Sequence, residues 1–243
     1  MLTLLLSLVA PASAETADQI LERARAANQV ESSIEGVTMV IVSKSGSEKS
    51  MSMEIRTRRE AGVTKTHLKV MAPSDVAGTQ LLQIDNPNVA DEQMMYFPAF
   101  KRVNQISGSA RSGRFLGSDF TYEDLEIRES ATGTHTMVSD TAESWTIDTA
   151  MTNSSYSKVR ATIGKADLVL RKVEFYSGES VVKVLEVKRT EKDGAATLPV
   201  ESEMTDLKAG TKTRLVITSH KLNLPKTDLP DDTFTKAYLE RGG

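Results

Sequence analysis

Apolar and polar residues alternate along most of this chain, which is the pattern of β-strands that bury one face. Met51, Met53 and Ile55 alternate with polar neighbours, and the turn Ser45-Gly46-Ser47 joins them to an earlier strand that is apolar on both faces. Strand patterns cover 37–42, 51–56, 64–71, 78–85, 92–97, 101–106, 126–129, 134–139, 143–151, 156–163, 168–176, 181–190, 196–206 and 211–222. The segment 156–163 also fits a helix, and we favour a strand. Together these patterns predict about ten strands, joined mostly by short polar turns.

The order of the patterns predicts a mainly β (α+β) fold. Consecutive strands with short turns form a large, strongly curved antiparallel sheet or an open barrel. One amphipathic helix over 16–30 precedes the sheet, with Thr16 and Gln19 in a capping box and an apolar face that starts at Ile20. A short helix or turn begins at Asp231. With so few helices, one sheet face must be covered by helices, by loops or by something else.

The beginning of the chain predicts export. Residues 2–10 are almost all apolar and Ala12-Ser13-Ala14 is a small-x-small cleavage pattern, so 1–14 is predicted to be a signal peptide, with Glu15 as the first mature residue. Residues 15–243 are predicted to form a single domain. The chain has no cysteine, which excludes disulfides, thiolate metal sites and a lipid-anchored cysteine. A net charge of −3 with both signs interspersed argues against a nucleic-acid partner.

The familiar catalytic motifs are missing from the sequence. Ser118 is not in a G-x-S-x-G nucleophile elbow. Gly108 and Gly113 have P-loop spacing, but Arg114-Phe115 stands where Lys-Ser/Thr is required. The histidines at 67, 135 and 220 are far apart, and each is expected on the polar face of a strand. The sequence therefore predicts no enzyme activity, no cofactor and no metal.

The densest block of the chain is 115–125, which interrupts the strand patterns. Its carboxylates, Asp119, Glu123 and Asp124, suit acid/base chemistry or a hard metal, but we favour a structural reading. Gly117 permits a sharp turn, and Ser118 or Asp119 is predicted to be the N-cap of one helical turn. The members of the block that we single out are Phe115, Gly117, Ser118, Asp119, Phe120, Tyr122, Glu123, Asp124 and Leu125, whose apolar side chains are predicted to anchor the turn on the sheet.

A basic, Gly/Ser-rich segment, 107–114, precedes this block. Lys101, Arg102, Arg111 and Arg114 surround it, and they fit either contacts to phosphate headgroups or an acidic partner, or else a solvated loop. Both alternatives stay open. A second basic run, 56–59, is more typical of an exposed strand end.

The block 115–125, Phe-Leu-Gly-Ser-Asp-Phe-Thr-Tyr-Glu-Asp-Leu, closely resembles the signature of the outer-membrane lipoprotein-sorting protein family, within the Lol-type periplasmic lipoprotein carriers. Weaker supporting pieces stand in order around it, so the resemblance covers nearly the whole mature chain. They are Val70-Met71-Ala72-Pro73, Gly78-Thr79, Tyr96-Phe97-Pro98-Ala99, Lys101-Arg102-Val103, Tyr156-Ser157-Lys158-Val159, Leu222-Asn223-Leu224-Pro225 and Asp232-Thr233-Phe234-Thr235.

The resemblance implies a curved antiparallel half-barrel with helices over its open side. It implies a periplasmic protein with an apolar cavity for the acyl chains of lipoproteins or other lipids. Its contacts with membrane proteins would be transient, without membrane insertion. Some relatives look like companions of resistance-nodulation-division transporters, so an accessory module of an inner-membrane transporter is the alternative.

A carrier needs apolar surface for its cargo and a way to release it. Flexible methionine side chains suit an adaptable wall, although they also fill ordinary cores. The predicted cavity residues are Met39, Ile41, Met53, Ile55, Leu68, Val70, Trp145 and Ile147. The predicted lid is the Gly/Ser-rich segment, with Ser107, Gly108, Arg111, Gly113 and Arg114 as its candidate residues.

Overall fold

A computed structural model describes residues 15–86, 89–126, 133–194 and 196–242. Thirteen antiparallel strands form one curved sheet in the order β6-β5-β4-β3-β2-β1-β13-β12-β11-β10-β9-β8-β7. The strands are β1 Ser32–Val42, β2 Glu48–Glu60, β3 Val63–Ala72, β4 Gln80–Asp85, β5 Glu92–Phe97, β6 Arg102–Gln105, β7 His135–Asp140, β8 Ser144–Ala150, β9 Lys158–Gly164, β10 Leu170–Ser177, β11 Ser180–Asp193, β12 Ala196–Asp206 and β13 Thr211–Leu222. Within the described residues β6 and β7 do not pair, so the sheet stays unclosed.

The helices are few and short. Helix α1 spans Ala17–Asn28 and α2 spans Lys236–Glu240, and the 3-10 helices are Gly108–Ser112, Phe115–Gly117 and Asp231–Phe234. The predicted capping box of α1 is confirmed, because Gln19 N donates to Thr16 Oγ1 at 3.3 Å and Thr16 N donates to Gln19 Oε1 at 2.9 Å. No helix in the described ranges is both long and apolar enough to cross a membrane.

The mainly β antiparallel fold is confirmed, but the predicted count of about ten strands is wrong. Thirteen of the fourteen strand patterns each overlap one strand of the sheet, so the individual patterns locate the strands although their total was set too low. The ambiguous segment 156–163 contains strand β9, as favoured. Most of the predicted strand 126–129, and the predicted signal peptide 1–14, lie outside the described residues.

Strand register divides the side chains between two faces, because directly opposite residues of antiparallel strands lie on one face. Met39 lies opposite Met51 and Leu215, and we call their side of the sheet the core face. The row Ile147, Ala161, Val173, Leu185, Met204, Thr213 and Ile41 crosses from β8 to β1 on this same face. One largely apolar surface therefore runs across most of the sheet.

Two different elements pack on the core face. The segment 107–126 packs over β1–β5, where Phe115 is 1% exposed within a cluster of methionine and aliphatic side chains. Helix α1 packs over β8 and β9, where Ala17 and Ile20 contact the cluster of Trp145, Ile147 and Ile163. The predicted cover of the sheet thus consists of a loop block at one part of the face and a helix at another.

The opposite side, which we call the tail face, is covered over β3–β6 by the C-terminal segment. Leu229, Phe234 and Leu239 pack against Leu82 and Tyr96 in a separate buried cluster. The chain therefore buries both faces of this half of the sheet, which explains why these strands are apolar on both sides.

Candidate functional site

The block 115–125 is a compact, buried turn. Leu116 and Gly117 both take left-handed backbone angles, with φ of 48° and 75°, so the predicted sharp turn at Gly117 is confirmed and extends to its neighbour. The ring of Phe115 meets the ring of Tyr122 edge to face, with centroids 5.9 Å apart. Burial raises the pKa of Tyr122. The two aromatics hold the turn on the core face of the sheet.

Asp119 ties this block to the central strands. Its carboxylate is 1% exposed and accepts hydrogen bonds from Thr211 Oγ1 at 2.5 Å and Thr213 Oγ1 at 2.8 Å. Arg114 Nη1 donates to it at 2.8 Å, and Asp119 N donates back to Thr213 Oγ1 at 2.9 Å. Every contact attaches the block to β13 or to its own segment, so Asp119 has the environment of a structural carboxylate.

Glu123 and Asp124 make a second attachment, to β11 and to the loop before β9. Glu123 accepts from Ser155 N at 3.1 Å and from Ser155 Oγ at 2.6 Å. Asp124 accepts from Tyr156 Oη at 2.8 Å and from Lys183 Nζ at 2.9 Å. Burial, followed by the charge of Asp124, raises the pKa of Tyr156. The three carboxylates of the block are therefore each surrounded by donors from other elements.

The capping residue differs from the prediction. Thr121 Oγ1 accepts from Asp124 N at 3.2 Å, and Asp124 Oδ2 accepts from Thr121 N at 2.7 Å. Ser118 Oγ instead accepts from Phe120 N at 3.2 Å. The predicted helical turn is thus a hydrogen-bonded turn that starts at Thr121, where Asp124 N also donates to Thr121 O at 3.1 Å. Ser118 and Asp119 do not cap it, because Asp119 is engaged by the threonines of β13.

The predicted lid is a short 3-10 turn that ion pairs attach to the rest of the block. Arg111 Nε donates to Glu126 Oε1 at 2.6 Å, and this bond raises the pKa of Arg111. Arg114 bridges Asp119 and Asp206, the last residue of β12. Gly113 lies close under Tyr122, since a Cβ there would stand 3.0 Å from Ala110 O and 3.7 Å from the Tyr122 ring. Ser107 and Gly108 are exposed at the start of the turn.

The basic residues around the lid separate into two kinds. Arg111 and Arg114 are paired with carboxylates, whereas Lys101 and Arg102 are exposed at the β5–β6 turn. The second basic run is not simply an exposed strand end, because Arg58 is only 6% exposed. The C-terminal segment covers it, with Leu229 O accepting from Arg58 Nη1 at 2.5 Å.

The structure places the predicted cavity residues in two groups on the core face. Met39, Ile41, Met53, Ile55, Leu68 and Val70 lie in or against the cluster that Phe115 fills. Trp145 and Ile147 lie under helix α1. All eight share one face, but the two groups are separated by the middle of the sheet.

An open cavity of about 500 Å³ lies beside the second group. Trp145, Leu168 and Ala27 of α1 give it apolar side chains. The rest of its lining is largely polar or charged: Glu15, Arg23, Asn28, Lys165, Asp167, Lys192 and Thr197. The guanidinium of Arg23 and the ammonium of Lys165 approach the Trp145 ring to 5.0 and 4.8 Å from its centroid. Its volume is within the range of about 300–1,000 Å³ typical of small-molecule sites.

Sequence reasoning missed the buried polar residues of the tail face. His67, expected on a polar face, is 1% exposed, and its Nε2 lies 2.7 Å from Gln80 Oε1. Burial lowers the pKa of His67. The ring of Tyr238 covers it edge to face, at 5.2 Å between centroids. Within the described parts of the chain, no three His, Asp or Glu side chains come together as a metal ion would require.

Comparisons with known proteins agree on the fold. A family model with the description "Uncharacterized protein" matches residues 62–241. The crystal structure of an outer membrane lipoprotein-sorting protein domain from Vibrio parahaemolyticus is 26% identical, with a TM-score of 0.83 over 93% of this chain and 98% of that one. No curated protein sequence matches the chain significantly.

Two further crystal structures share the fold at lower identity. A DUF1329 family protein from Desulfovibrio piger is 18% identical, with a TM-score of 0.85 over 92% of this chain and 97% of that one. A LolA superfamily protein from Nitrosomonas europaea is 19% identical, with a TM-score of 0.71 over 93% of this chain and all of that one, 100%. The fold of this chain is thus shared by proteins of distant sequence.

Proposed function

The chain belongs to the LolA-like outer-membrane lipoprotein-sorting family, and from this premise we propose that it is a periplasmic carrier of lipoproteins or other lipids. It binds acyl chains in an apolar cavity, without catalysis and without a cofactor, and delivers them to the outer membrane. An exported protein with a cleaved signal peptide at 1–14 fits this role. The core face with its cavity beside α1 is the observation that carries the proposal.

The energetics of lipid transfer set what such a carrier must supply. Exposing an acyl chain to water costs about 0.8 kcal/mol per methylene, so a ~16-carbon chain costs roughly 12 kcal/mol. The core face offers apolar side chains from β5 to β9, and the register keeps them on one side of the sheet. Five of its buried residues are methionines, Met39, Met51, Met53, Met95 and Met204, whose flexible side chains adapt to different chains.

The cavity beside α1 gives the acyl chain an entrance. Only Ala17 and Ile20 of this helix are buried, and Asn28 Nδ2 attaches its end by donating to Leu168 O at 3.0 Å. Leu21 and Ala24 pack only partly against the same cluster, and Asn28 also donates to Asp167 O at 3.2 Å and accepts from Thr197 N at 3.1 Å. Entry of cargo would require these contacts at the end of the helix to open. Cargo that enters beside Trp145 then slides under α1 onto Ile147.

The segment 107–114 is the proposed lid over the other part of the core face. Gly108 takes a left-handed φ of 56°, and the partly exposed pair of Arg114 with Asp206 is open to competition by salt. The pair of Arg111 with Glu126, whose side chain is 3% exposed, holds the segment more firmly. Movement of this segment together with Phe115 would join the Met39 cluster to the cavity under α1. The carrier would then hold a longer or a second acyl chain.

One observation supports an alternative, in which the chain is a non-catalytic accessory module of a resistance-nodulation-division-type transporter. Phe115 fills the methionine cluster, so this half of the core face is occupied by the protein's own side chains. In the carrier role, contact with an inner-membrane transporter is transient and supplies the cargo. In the accessory role, that contact is the function, and no lipid is bound.

Trp145 provides an internal probe, because it is the only tryptophan of the chain and borders the cavity. Delipidated protein is titrated with a fatty acid that is brominated along its acyl chain, and Trp145 fluorescence is recorded. We expect saturable quenching, with no quenching by the unbrominated acid. Absence of saturable quenching would contradict acyl-chain binding beside α1.

A matched pair of helix variants locates the site. Ala27 lines the cavity, whereas its neighbour Ala26 is exposed on α1 and does not. Ala27→Phe is expected to raise the ligand concentration for half-maximal quenching at least tenfold, because the ring occupies the space of the acyl chain. Ala26→Phe adds the same ring elsewhere and is expected to change nothing. Equal effects of the two variants would place the ligand away from the cavity.

A further inference from the structure

Four turns lie side by side at one end of the sheet. They are the β5–β6, β3–β4, β1–β2 and β12–β13 connections, and consecutive ones are separated by two strands. Strands are ~4.8 Å apart, so the turns follow each other at intervals of about 10 Å. Short distances between neighbouring turns support this arrangement at two places. A Cβ on Gly78 would lie 3.5 Å from Pro98 Cγ, and one on Gly210 would lie 3.7 Å from Lys44 Cδ.

Large apolar side chains project from this end into solvent. Phe100 is 77% exposed at the β5–β6 turn, Met71 is 54% exposed at the end of β3, and Leu207 is 52% exposed after β12. Phe100 is held in place, because its N donates to Phe97 O at 3.1 Å and its ring meets that of Phe97 edge to face. Isolated exposed apolar residues are ordinary, but three among four consecutive turns at one end of the sheet suggest a contact surface.

Exposed cations accompany these apolar side chains on the same turns. They are Lys44, Lys101, Arg102 and Lys208, and among the described residues none of the four forms an ion pair with a carboxylate. The acids at this end are fewer, since Asp75 is exposed and Glu48 is engaged by Arg214 Nη2 at 2.9 Å. We call this end, with the residues 43–47, 71–79, 98–102 and 207–210, the basic rim.

We propose that the basic rim docks on a bilayer surface that contains anionic phospholipids. Phe100, Met71 and Leu207 reach the boundary between headgroups and acyl chains, and the cations lie against lipid phosphates. An apolar tip ringed by lysine and arginine is the combination that binds such a surface, since each component alone is weak. The protein lies on the membrane by its side chains and does not span it.

Docking by this rim has a consequence for the core face. Arg114 joins the lid segment to Asp206, the residue immediately before Leu207. The lid therefore lies next to the proposed membrane contact, and headgroup phosphates would compete with Asp206 for Arg114. This inference goes beyond the carrier function, because an accessory module without any cargo would use the same rim.

The test is flotation of the delipidated mature protein with vesicles of phosphatidylcholine alone or with about one third phosphatidylglycerol. We expect binding to the anionic vesicles only, weakening as salt is raised. Phe100→Ser is expected to reduce the partition coefficient about tenfold or more, because it removes the largest inserted side chain. Lys101→Glu combined with Lys208→Glu is expected to reduce it at least tenfold and to flatten the salt dependence.

Matched controls come from the opposite end of the sheet. Val89 is 62% exposed in the β4–β5 connection, and Lys221 is exposed near the end of β13. Val89→Ser, and Lys221→Glu alone, are expected to leave vesicle binding unchanged, and circular dichroism checks that every variant is folded. No binding to anionic vesicles, or equal losses in rim and control variants, would overturn the proposal. So would rim variants that bind vesicles normally but fail to bind a protein partner.

Discussion

Replacing Asp119 by alanine tests whether the densest block of the chain is structural. The buried carboxylate accepts two threonine hydroxyls of β13 and one guanidinium N–H of Arg114. A hydrogen bond to a charged group contributes about 1.5–3 kcal/mol, so the two threonines together account for roughly 3–6 kcal/mol. The Arg114 side chain is 41% exposed and keeps its ion pair with Asp206 in the variant. Loss of its ion pair with Asp119 therefore adds less than about 1 kcal/mol after solvent screening.

We therefore expect Asp119→Ala to lower the free energy of unfolding by about 3–6 kcal/mol, and the melting temperature by roughly 10–15 °C. Urea unfolding followed by circular dichroism measures the first quantity. Asp75→Ala is the matched control, because that carboxylate is exposed on a loop, and its effect should stay within about 0.5 kcal/mol. A loss below about 1 kcal/mol in Asp119→Ala, together with loss of ligand or partner binding, would refute the structural role and make Asp119 a functional residue.

Two further predictions concern a buried histidine of β3 and the first helix. Burial, then the neighbouring charges of Arg56 and Lys69, hold the pKa of His67 below its ordinary value near 6.5, although the bond to Gln80 opposes this. The stability that neutral His67 supplies is present above pH 6.5 and is lost as the pH falls through the folded-state pKa. The difference in unfolding free energy between wild type and His67→Gln should therefore shrink as the pH is lowered from 7 to 5, and a constant difference would contradict this. Thr16→Ala removes the cap of α1 and should cost about 0.5–2 kcal/mol in urea unfolding, whereas Thr16→Ser should cost little.

The sequence predicts well those features that depend on neighbouring residues. The capping box of α1 involves residues three positions apart, and the hairpin around Gly46 depends on one glycine with a φ of 85°. The strands β5, β12 and β13 have the predicted bounds, because turn residues mark both of their ends. The family signature 115–125 also proved to be one compact unit of structure.

Features that depend on distant residues were not predictable in the same way. His67 and Arg58 are polar, and only the return of the C-terminal segment buries them. The start of the turn at Thr121 rather than Asp119 depends on two threonines about ninety positions away, with 92 and 94 residues of separation. The division of the apolar surface between Phe115 and α1 likewise follows from packing, since the alternating pattern is the same along the whole face.

Native mass spectrometry of gently purified protein tests the carrier function most directly. We predict a reproducible mass adduct that corresponds to a lipid or lipopeptide and that is released on delipidation. The adduct should be diminished in Ala27→Phe and retained in Ala26→Phe, because only the first ring occupies the cavity beside Trp145. A clean ligand-free mass in every preparation, with no uptake of added lipid, would contradict the account and favour the accessory module.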